Sequence, residues 1–245
     1  MKKSVCIIPF YNEEKRIDFS KFEEAFSNKD IFFCLVDDGS KDNTLELLYN
    51  FKKQHNNIQV IKNKSNVGKA ETIRLAMLEL ITDAEVEYVG FLDCDFATPF
   101  YEYARLNKLI KEKEMEVVFG SRIKLYGKDI ERNASRHYFS RIFTTIANIL
   151  FSLEIYDTQC GCKIFHKVLI SDAFSKKFLS KWLFDIEIFT RLFSKNKKVR
   201  ILEEGLYEWK EIGGSKIKIT DFLKFPFELF YLFYKYRIRK YYEKN

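Results

Sequence analysis

The sequence predicts an α/β fold built on a doubly wound, mostly parallel sheet. Three observations support this. Apolar runs of strand length recur between residues 5 and 120, amphipathic helical patterns separate them, and acidic turns follow several of the runs. The chain has 245 residues, of which 47% are hydrophobic, enough for a full core in one large domain or two smaller ones.

The first, second and fourth predicted strands are apolar along their whole length, without the alternation of a sheet that is exposed on one face. Strands of parallel sheets have this pattern because helices cover both faces. The five predicted strands are Val5–Pro9, Ile31–Val36, Ile58–Ile61, Tyr88–Leu92 and Glu116–Gly120.

The segments between these strands carry helical spacing. Phe19, Phe22 and Phe26 share one face of a first helix, and Leu45, Leu48 and Phe51 share one face of a second. Asp42-Asn43-Thr44 can cap the second helix. A third helix has apolar residues at i, i+3, i+4, i+7 and i+8, namely Ile73, Ala76, Met77, Leu80 and Ile81. A fourth helix is expected after Pro99.

The fourth strand ends in two aspartates, Asp93 and Asp95. Alternate residues of an extended segment point the same way, so both carboxylates can meet just beyond the strand end. Ligands bind at this edge in open α/β sheets. Two hard oxygen donors suit Mg²⁺ or Mn²⁺, which a phosphate ligand helps to hold. An isolated Asp-x-Asp is a weak signal, because carboxylates at strand ends are also common in caps and turns.

Two further strands end in polar turns, Tyr11-Asn12-Glu13 and Asp37-Asp38-Gly39-Ser40. Parallel strands bring all three turns to one edge, where carboxylates can accept hydrogen bonds from a base and a ribose. Glycine-rich phosphate loops of the Gly-x-Gly-x-x-Gly or Gly-Lys-Ser/Thr type are missing from the sequence. We therefore predict a nucleotide site that neutralises phosphate with a metal and side chains.

These motifs, taken in order, resemble glycosyltransferase family 2, the inverting enzymes of GT-A fold. The resemblance covers about residues 4 to 220 and is strongest for the dolichyl- and polyprenyl-phosphate glucosyltransferase-like branch. It rests on Ile8–Glu14, Val36–Thr44, Asn66–Lys69, Asp93–Asp95, Gly120–Arg122, Asp157–Phe165, Trp182–Glu187 and Gly213–Lys216.

The resemblance implies an inverting transfer of a hexose, with glucose favoured, from a nucleoside-diphosphate sugar to a polyprenyl phosphate. UDP-glucose is the favoured donor, and Mg²⁺ or Mn²⁺ the expected cofactor, held by Asp93 and Asp95. The implied donor site comprises Pro9, Tyr11, Glu13, Asp37, Asp38, Lys69, Asp93, Asp95 and Lys216. The implied acceptor-phosphate site comprises Arg122, Ser135 and Arg136.

Asp185 and Asp95 are the candidate catalytic residues. On a helix, Asp185 and Glu187 do not share a face, and Asp185 is the better candidate for facing the site. A sugar-hydroxyl acceptor would need a general base such as Asp185, whereas an ionised phosphate would not. A structural role for Asp185, as a helix cap or a partner of Lys216 or an arginine, stays open. The Asp157–Phe165 segment is expected to be a structural turn beneath the acceptor site.

The C-terminal segment combines ten aromatic residues with five basic ones between Asp221 and Tyr242. This composition predicts a helix lying in a membrane surface, although docking on the core is an alternative. We assign residues 1–218 to the glycosyltransferase domain and residues 219–245 to this helix. Tyr138–Ile155 is apolar but too often interrupted to span a bilayer, so it could lie on the membrane or pack under the sheet.

The bulk properties agree with a cytoplasmic enzyme on the cytoplasmic face of a membrane. Five cysteines show neither disulfide nor zinc spacing, and no signal peptide opens the chain. The net charge of +7 permits anionic lipid, phosphate-bearing substrates or nucleic acid. We expect no nucleic-acid partner. Two alternatives remain: a family 2 enzyme that glycosylates a sugar hydroxyl in a surface polysaccharide, and a non-enzymatic basic module that binds membranes or nucleic acid.

Overall fold

A computed structural model describes residues 2–194, 198–212 and 224–239, apart from the side chains of residues 134–137, 139 and 239. Its main sheet has seven strands in the order β3-β2-β1-β4-β7-β5-β8, and β6 and β9 form a small parallel pair. The strands are β1 Lys3–Phe10, β2 Ile31–Asp37, β3 Ile58–Lys62, β4 Val86–Leu92, β5 Val117–Ser121, β6 Asp129–Glu131, β7 Cys162–His166, β8 Ile201–Gly205 and β9 Glu208–Lys210.

The predicted doubly wound, mostly parallel sheet is confirmed, with all five predicted strands in place. β1 runs parallel to β2 and β4, β2 runs parallel to β3, and β5 runs parallel to β8. Parallel neighbours put the carboxyl ends of β1, β2 and β4 at one edge. β5 joins them there because β7 is antiparallel to both β4 and β5.

Strand β7 corrects the expectation that Asp157–Phe165 is only a turn. Its last part enters the centre of the sheet, where Lys163 pairs with Phe91 of β4 and with Phe119 of β5. The stretch is short and contains a lysine, so hydropathy alone gives little sign of a central strand. Pairing on both sides, between segments distant in sequence, buries it.

Helices cover both faces of the sheet and produce two apolar clusters. One cluster contains buried residues of α1, α2 and α4, and the other contains those of α3, α5, α6, α7 and α8. The helices are α1 Phe19–Phe26, α2 Thr44–Gln54, α3 Lys69–Leu80, α4 Phe100–Glu112, α5 Ala134–Phe151, α6 Ile170–Phe174, α7 Phe184–Phe193 and α8 Phe225–Phe233. The four helices expected between the first five strands are therefore present.

Helix α8 packs on the core and on α5. The Phe225 ring lies 5.5 Å from that of Phe143, and the Phe233 ring lies 6.2 Å from that of Phe151. The Tyr236 hydroxyl donates a hydrogen bond of 2.6 Å to Glu187 of α7. The described part of the C-terminal segment is therefore docked on the domain by one face.

Helix α5 also buries one face and exposes the other. Ala147 and Phe151 are buried, whereas Ile142 and Ile149 are 63% and 75% exposed. Among the residues that the structure describes, no helix is both long enough and apolar enough to cross a bilayer. Helix α5 packs on the domain through its buried face.

Candidate active site

The turns after β1 and β2 are tied to each other by hydrogen bonds. The Asn12 N–H donates to Ser40 Oγ at 3.0 Å, and the Lys41 N–H donates to Asn12 Oδ1 at 2.9 Å. The Glu13 N–H donates to Thr44 Oγ1 at 2.9 Å. These bonds make one rigid rim of two turns that are far apart in sequence. Pro9, Tyr11 and Glu13 of the predicted donor site all belong to it.

Asp38 organises the start of α3. One carboxylate oxygen accepts hydrogen bonds from Asn63 Nδ2 and the Val67 N–H, both at 2.9 Å, and the other accepts from the Gly68 N–H at 2.8 Å. A carboxylate has about four lone-pair sites, so about one is left for a ligand donor. Asp38 therefore fixes the turn that begins α3 and so positions Lys69, its first residue.

Asp37 is fully buried and accepts hydrogen bonds from the Ser40 N–H at 3.2 and 3.3 Å. Gly39, between Asp38 and Ser40, has a φ of +69°, and a Cβ there would lie 2.7 Å from the Ser65 carbonyl carbon. Only glycine avoids both the strained dihedral and this clash. The Asp-Asp-Gly-Ser motif therefore closes a turn tightly against the 65–66 backbone.

The Asp93–Phe96 turn presents the acidic pair at the end of β4. The Phe96 N–H donates to the Asp93 carbonyl at 3.2 Å, and the Ala97 N–H donates to Asp95 Oδ1 at 3.0 Å. Phe96 has a φ of +49°, a conformation that costs a residue with a Cβ about 1–2 kcal/mol. The buried Phe96 ring lies 4.5 Å from that of Phe22, so aromatic packing holds the turn in this conformation.

The two carboxylates of this turn interact electrostatically. Burial, and then the neighbouring Asp93 carboxylate, raise the pKa of Asp95. Lys69 Nζ lies 2.5 Å from Asp93 Oδ1. The Lys69 side chain is 44% exposed; against partial desolvation, the Asp93 carboxylate raises the pKa of Lys69, with smaller contributions from Asp185 and Asp95. Lys69, Asp93 and Asp95 thus form one charged cluster.

The acidic pair fits a divalent cation that the protein holds only in part. Asp93 and Asp95 supply hard oxygen donors whose mutual repulsion a cation would relieve. Within residues 2–194, 198–212 and 224–239, no group of three or more metal-ligating side chains occurs. Two protein ligands leave the remaining positions to water and phosphate oxygens, which is how Mg²⁺ commonly binds beside a phosphorylated substrate.

Arg122, which directly follows β5, forms a salt bridge with Asp157. Its Nε and Nη2 atoms donate to the two carboxylate oxygens at 2.7 and 2.8 Å, and its backbone N–H donates to Oδ2 at 3.0 Å. Although burial opposes ionisation, the Arg122 guanidinium holds the pKa of Asp157 well below its usual range. None of the described hydrogen bonds uses Nη1. A phosphate could therefore reach Arg122 through that nitrogen.

Arg132 is the second cation on this side of the site. Burial, followed by the proximity of Arg122, lowers the pKa of Arg132 to about 10. Such a guanidinium gains from a bound anion, because repulsion between two cations is then relieved. The sequence alone did not point to Arg132 as a residue of the acceptor site. Only its spatial proximity to Arg122 distinguishes it from the other arginines.

Asp185 lies in the first turn of α7 and is 7% exposed. Its Oδ1 lies 2.7 Å from Nζ of Lys163, a fully buried residue of β7. Burial raises the pKa of Asp185, opposed by the Lys163 ammonium. Glu187 instead binds Arg191 and Tyr236, which confirms that the two acids use different faces. Sequence reasoning missed Lys163, whose only signal was a lysine within an apolar run.

Arg16 is another cation that sequence reasoning missed. Its Nη1 lies 3.3 Å from Glu13 Oε2, and its charge acts on Asp95. Three predicted site residues cannot be placed: Lys216 lies outside the described residues, and the side chains of Ser135 and Arg136 are not described.

The sequence profile of "Glycosyl transferase family 2" matches residues 5–174. This match covers more than half of the chain and includes the β1, β2 and β4 turns. The chain belongs to glycosyl transferase family 2. The predicted family is thus confirmed.

Several curated relatives are dolichyl-phosphate beta-glucosyltransferases. The chain is 30% identical to a dolichyl-phosphate beta-glucosyltransferase of Trichomonas vaginalis, over 91% of this chain and 68% of that protein. It is 31% identical to the dolichyl-phosphate beta-glucosyltransferase of Homo sapiens, over 88% of this chain and 70% of that protein. It is 31% identical to the dolichyl-phosphate beta-glucosyltransferase of Dictyostelium discoideum, over 86% of this chain and 67% of that protein.

Solved structures confirm the GT-A-like fold. Glucosyl-3-phosphoglycerate synthase of Mycobacterium tuberculosis, solved with Mn²⁺, UDP and glucosyl-3-phosphoglycerate, has a TM-score of 0.67 at 13% identity. The alignment covers 96% of this chain and 79% of that one. S. aureus TarS, solved with UDP-GlcNAc, has a TM-score of 0.59 at 18% identity. That alignment covers 96% of this chain and 67% of the TarS chain. At these identities the likeness concerns the fold alone.

Proposed function

We propose that this protein transfers glucose from UDP-glucose to a polyprenyl phosphate, with inversion at the anomeric carbon. The observation that carries the proposal is the shared activity of its curated relatives, dolichyl-phosphate beta-glucosyltransferases aligned over most of this chain. The arrangement of charges at the sheet edge supports it. An acidic pair with Lys69 stands at the end of β4, and an arginine pair stands near the end of β5.

The donor would bind along the rim formed by the β1 and β2 turns. Pro9, Tyr11, Glu13, Asp37 and Asp38 would surround the base and ribose. Asp38 has about one lone-pair site left for a base N–H, as its three protein donors indicate. In this assignment Asp37 acts mainly by holding the turn closed.

The diphosphate would lie against Asp93, Asp95 and Lys69, with Lys216 contributing from the C-terminal side. A Mg²⁺ or Mn²⁺ ion held by the two aspartates would stabilise negative charge on the leaving diphosphate. Lys69 would add a positive charge at the same place, as preorganised cations do for developing anions. Asp95 would act as a ligand of this metal ion and would not accept a proton.

The acceptor phosphate would bind on the arginine side, near Arg122, Arg132, Ser135 and Arg136. Its oxygen would attack the anomeric carbon from the face opposite the leaving group. A phosphate monoester is already ionised near neutral pH, so the attack needs no general base. The Asp185 carboxylate is already bound to the buried Lys163 ammonium at 2.7 Å, and a phosphate acceptor would leave this pair undisturbed because it needs no base.

The protein would work on the cytoplasmic face of a membrane. On α8, opposite its docked face, several aromatic residues are exposed, and lysines flank them. These residues are Lys224, Phe227, Phe230, Tyr231, Tyr234 and Lys235. Exposed aromatics with basic neighbours are typical of helices that lie in an anionic membrane surface. All five cysteines are unpaired thiols, as in proteins of reducing compartments.

A transfer assay tests the reaction. The purified chain is incubated with radiolabelled UDP-glucose, a polyprenyl phosphate and Mg²⁺ or Mn²⁺, and the lipid is extracted into organic solvent. We expect label in the organic phase that depends on enzyme and metal, with GDP-mannose as a donor control. The absence of lipid-linked label with every donor tested would overturn the proposal. Asp185→Asn should weaken this reaction, whereas it should abolish transfer to a hydroxyl.

Vesicle flotation tests the membrane assignment separately. Phe227→Ser with Phe230→Ser should reduce binding to vesicles containing anionic lipid. Leu125→Ser with Tyr126→Ser, exposed apolar residues outside α5 and α8, provides the matched control and should bind as wild type does. Equal flotation of the α8 variant and the wild type would show that α8 does not contact the membrane.

A further inference from the structure

Lys163 is a charged residue in the centre of the sheet for which the proposed reaction gives no role. It is fully buried on β7, and its Nζ donates to the Cys160 carbonyl at 2.5 Å and to Asp185 Oδ1 at 2.7 Å. A buried ion pair contributes little net stability, because desolvation offsets the attraction and an apolar pair often serves as well. This makes a role beyond stability a hypothesis worth testing.

The partner of Lys163 connects it to the donor edge. Asp185 lies where the N-terminus of α7 favours a negative charge, and its carboxylate acts electrostatically on Lys69. Lys69 in turn lies 2.5 Å from Asp93. Charges therefore alternate in sign from the sheet interior to its edge, in the order Lys163, Asp185, Lys69 and Asp93.

A second connection runs through the backbone. Lys163 binds the carbonyl of Cys160, and the next residue, Gly161, packs directly against Asp93. A Cβ added at Gly161 would lie 2.3 Å from Asp93 Oδ2. Lys163 thus restrains both the turn that supports Asp93 and the carboxylate of Asp185.

We propose that Lys163 is a positioning residue of the donor site, which holds the Cys160–Gly161 turn against Asp93 and keeps Asp185 in place at the start of α7. With the turn and Asp185 held in this way, Asp93 and Lys69 stay at the edge of the sheet where the diphosphate would bind. This inference rests on the proposed transferase function and assigns Lys163 no contact with substrate.

A double-mutant cycle separates positioning from stability. Lys163→Met leaves a buried carboxylate without its partner and should lower the melting temperature and kcat. Asp185→Asn should lower kcat as well. The combined variant contains neither charge, so its melting temperature should recover towards that of the wild type. Its kcat should remain roughly tenfold to a hundredfold below that of the wild type, because the groups of the donor site would still be misplaced. Recovery of both quantities would overturn the proposal.

A second buried ion pair on α7 supplies the control. Arg191 Nη2 lies 2.7 Å from Glu187 Oε1, and this pair faces α8 and α6 and not the donor edge. Arg191→Met combined with Glu187→Gln should change the melting temperature without changing kcat or KM at a temperature where the protein stays folded. A comparable loss of kcat in this control would mean that any buried pair affects turnover, against a specific role for Lys163.

Calorimetric titration with UDP-glucose and Mn²⁺ distinguishes failure of this inference from failure of the proposed function. Lack of transfer by the wild type would count against the proposed reaction. Even if the wild type transfers no glucose, the titration still compares the UDP-glucose affinity of the wild type with that of the Lys163 and Asp185 variants. We expect weaker binding by both single variants and by their combination, and unchanged affinity would overturn the positioning role.

Discussion

Replacing Asp157 by asparagine should destabilise the protein strongly. Asp157 and Arg122 form a bidentate pair at 2.7 and 2.8 Å, and their side chains are only 5% and 12% exposed. Asparagine has nearly the same shape but leaves the Arg122 charge without compensation. Breaking a buried pair from one side costs about 3–5 kcal/mol. For a chain of this size that is a fall of roughly 6–20 °C in melting temperature, at about 2–4 °C per kcal/mol.

Urea and thermal unfolding at pH 7 measure this loss. The matched control is Glu112→Gln, which breaks the exposed pair with Lys108 on α4, where the side chains are 56% and 74% exposed. Exposed pairs of this kind contribute at most about 0.5 kcal/mol. A loss for Asp157→Asn of less than about 1 kcal/mol would refute the argument that this pair is effectively buried.

The pH dependence gives a second check on the same pair. Because the pKa of Asp157 is depressed in the folded protein, its contribution is fully present above the unfolded-state pKa of about 4. The contribution is lost as the pH falls through the lower folded-state pKa. The stability difference between wild type and Asp157→Asn should thus be constant above about pH 5 and narrow in acid. A difference that widens below pH 4 would contradict the sign of this shift.

Four further substitutions test the acidic edge. Asp93→Asn and Asp95→Asn should each abolish glucose transfer and weaken Mn²⁺ binding in the presence of UDP, measured by calorimetry; near-wild-type turnover in either would remove the metal assignment. Gly161→Ala should reduce kcat/KM by roughly tenfold or more, because the added Cβ would clash with Asp93. The control is Gly127→Ala, where the space around the residue is open; its positive φ should lower the free energy of unfolding by about 1 kcal/mol and leave kcat/KM unchanged. Phe96→Ala should lower the free energy of unfolding by about 3–5 kcal/mol, because the ring is buried against Phe22, and unfolding within 1 kcal/mol of wild type would contradict that packing.

Local sequence was enough to predict the first half of the fold. Strands β1, β2 and β4 contain continuous apolar runs, β3 is short and mostly apolar, and the helices between them carry regular 3.6-residue spacing. Each of these elements is defined by neighbours in the chain, so its signal is present in a short window. The same holds for the position of Asp93 and Asp95, because a residue that follows a parallel strand must lie at the edge of the sheet.

The sequence by itself therefore determined the fold class, the family and which acids meet at the carboxyl edge of the sheet. Only the tertiary structure decided the central place of β7, the pairing of Arg122 with Asp157 and the burial of Lys163 beside Asp185. These contacts join residues 22 to 78 positions apart, on elements whose distance depends on how the whole sheet assembles. A charge pair of this kind leaves no periodic pattern in the sequence. Tertiary packing, and not the spacing along the chain, decides which two charged residues meet.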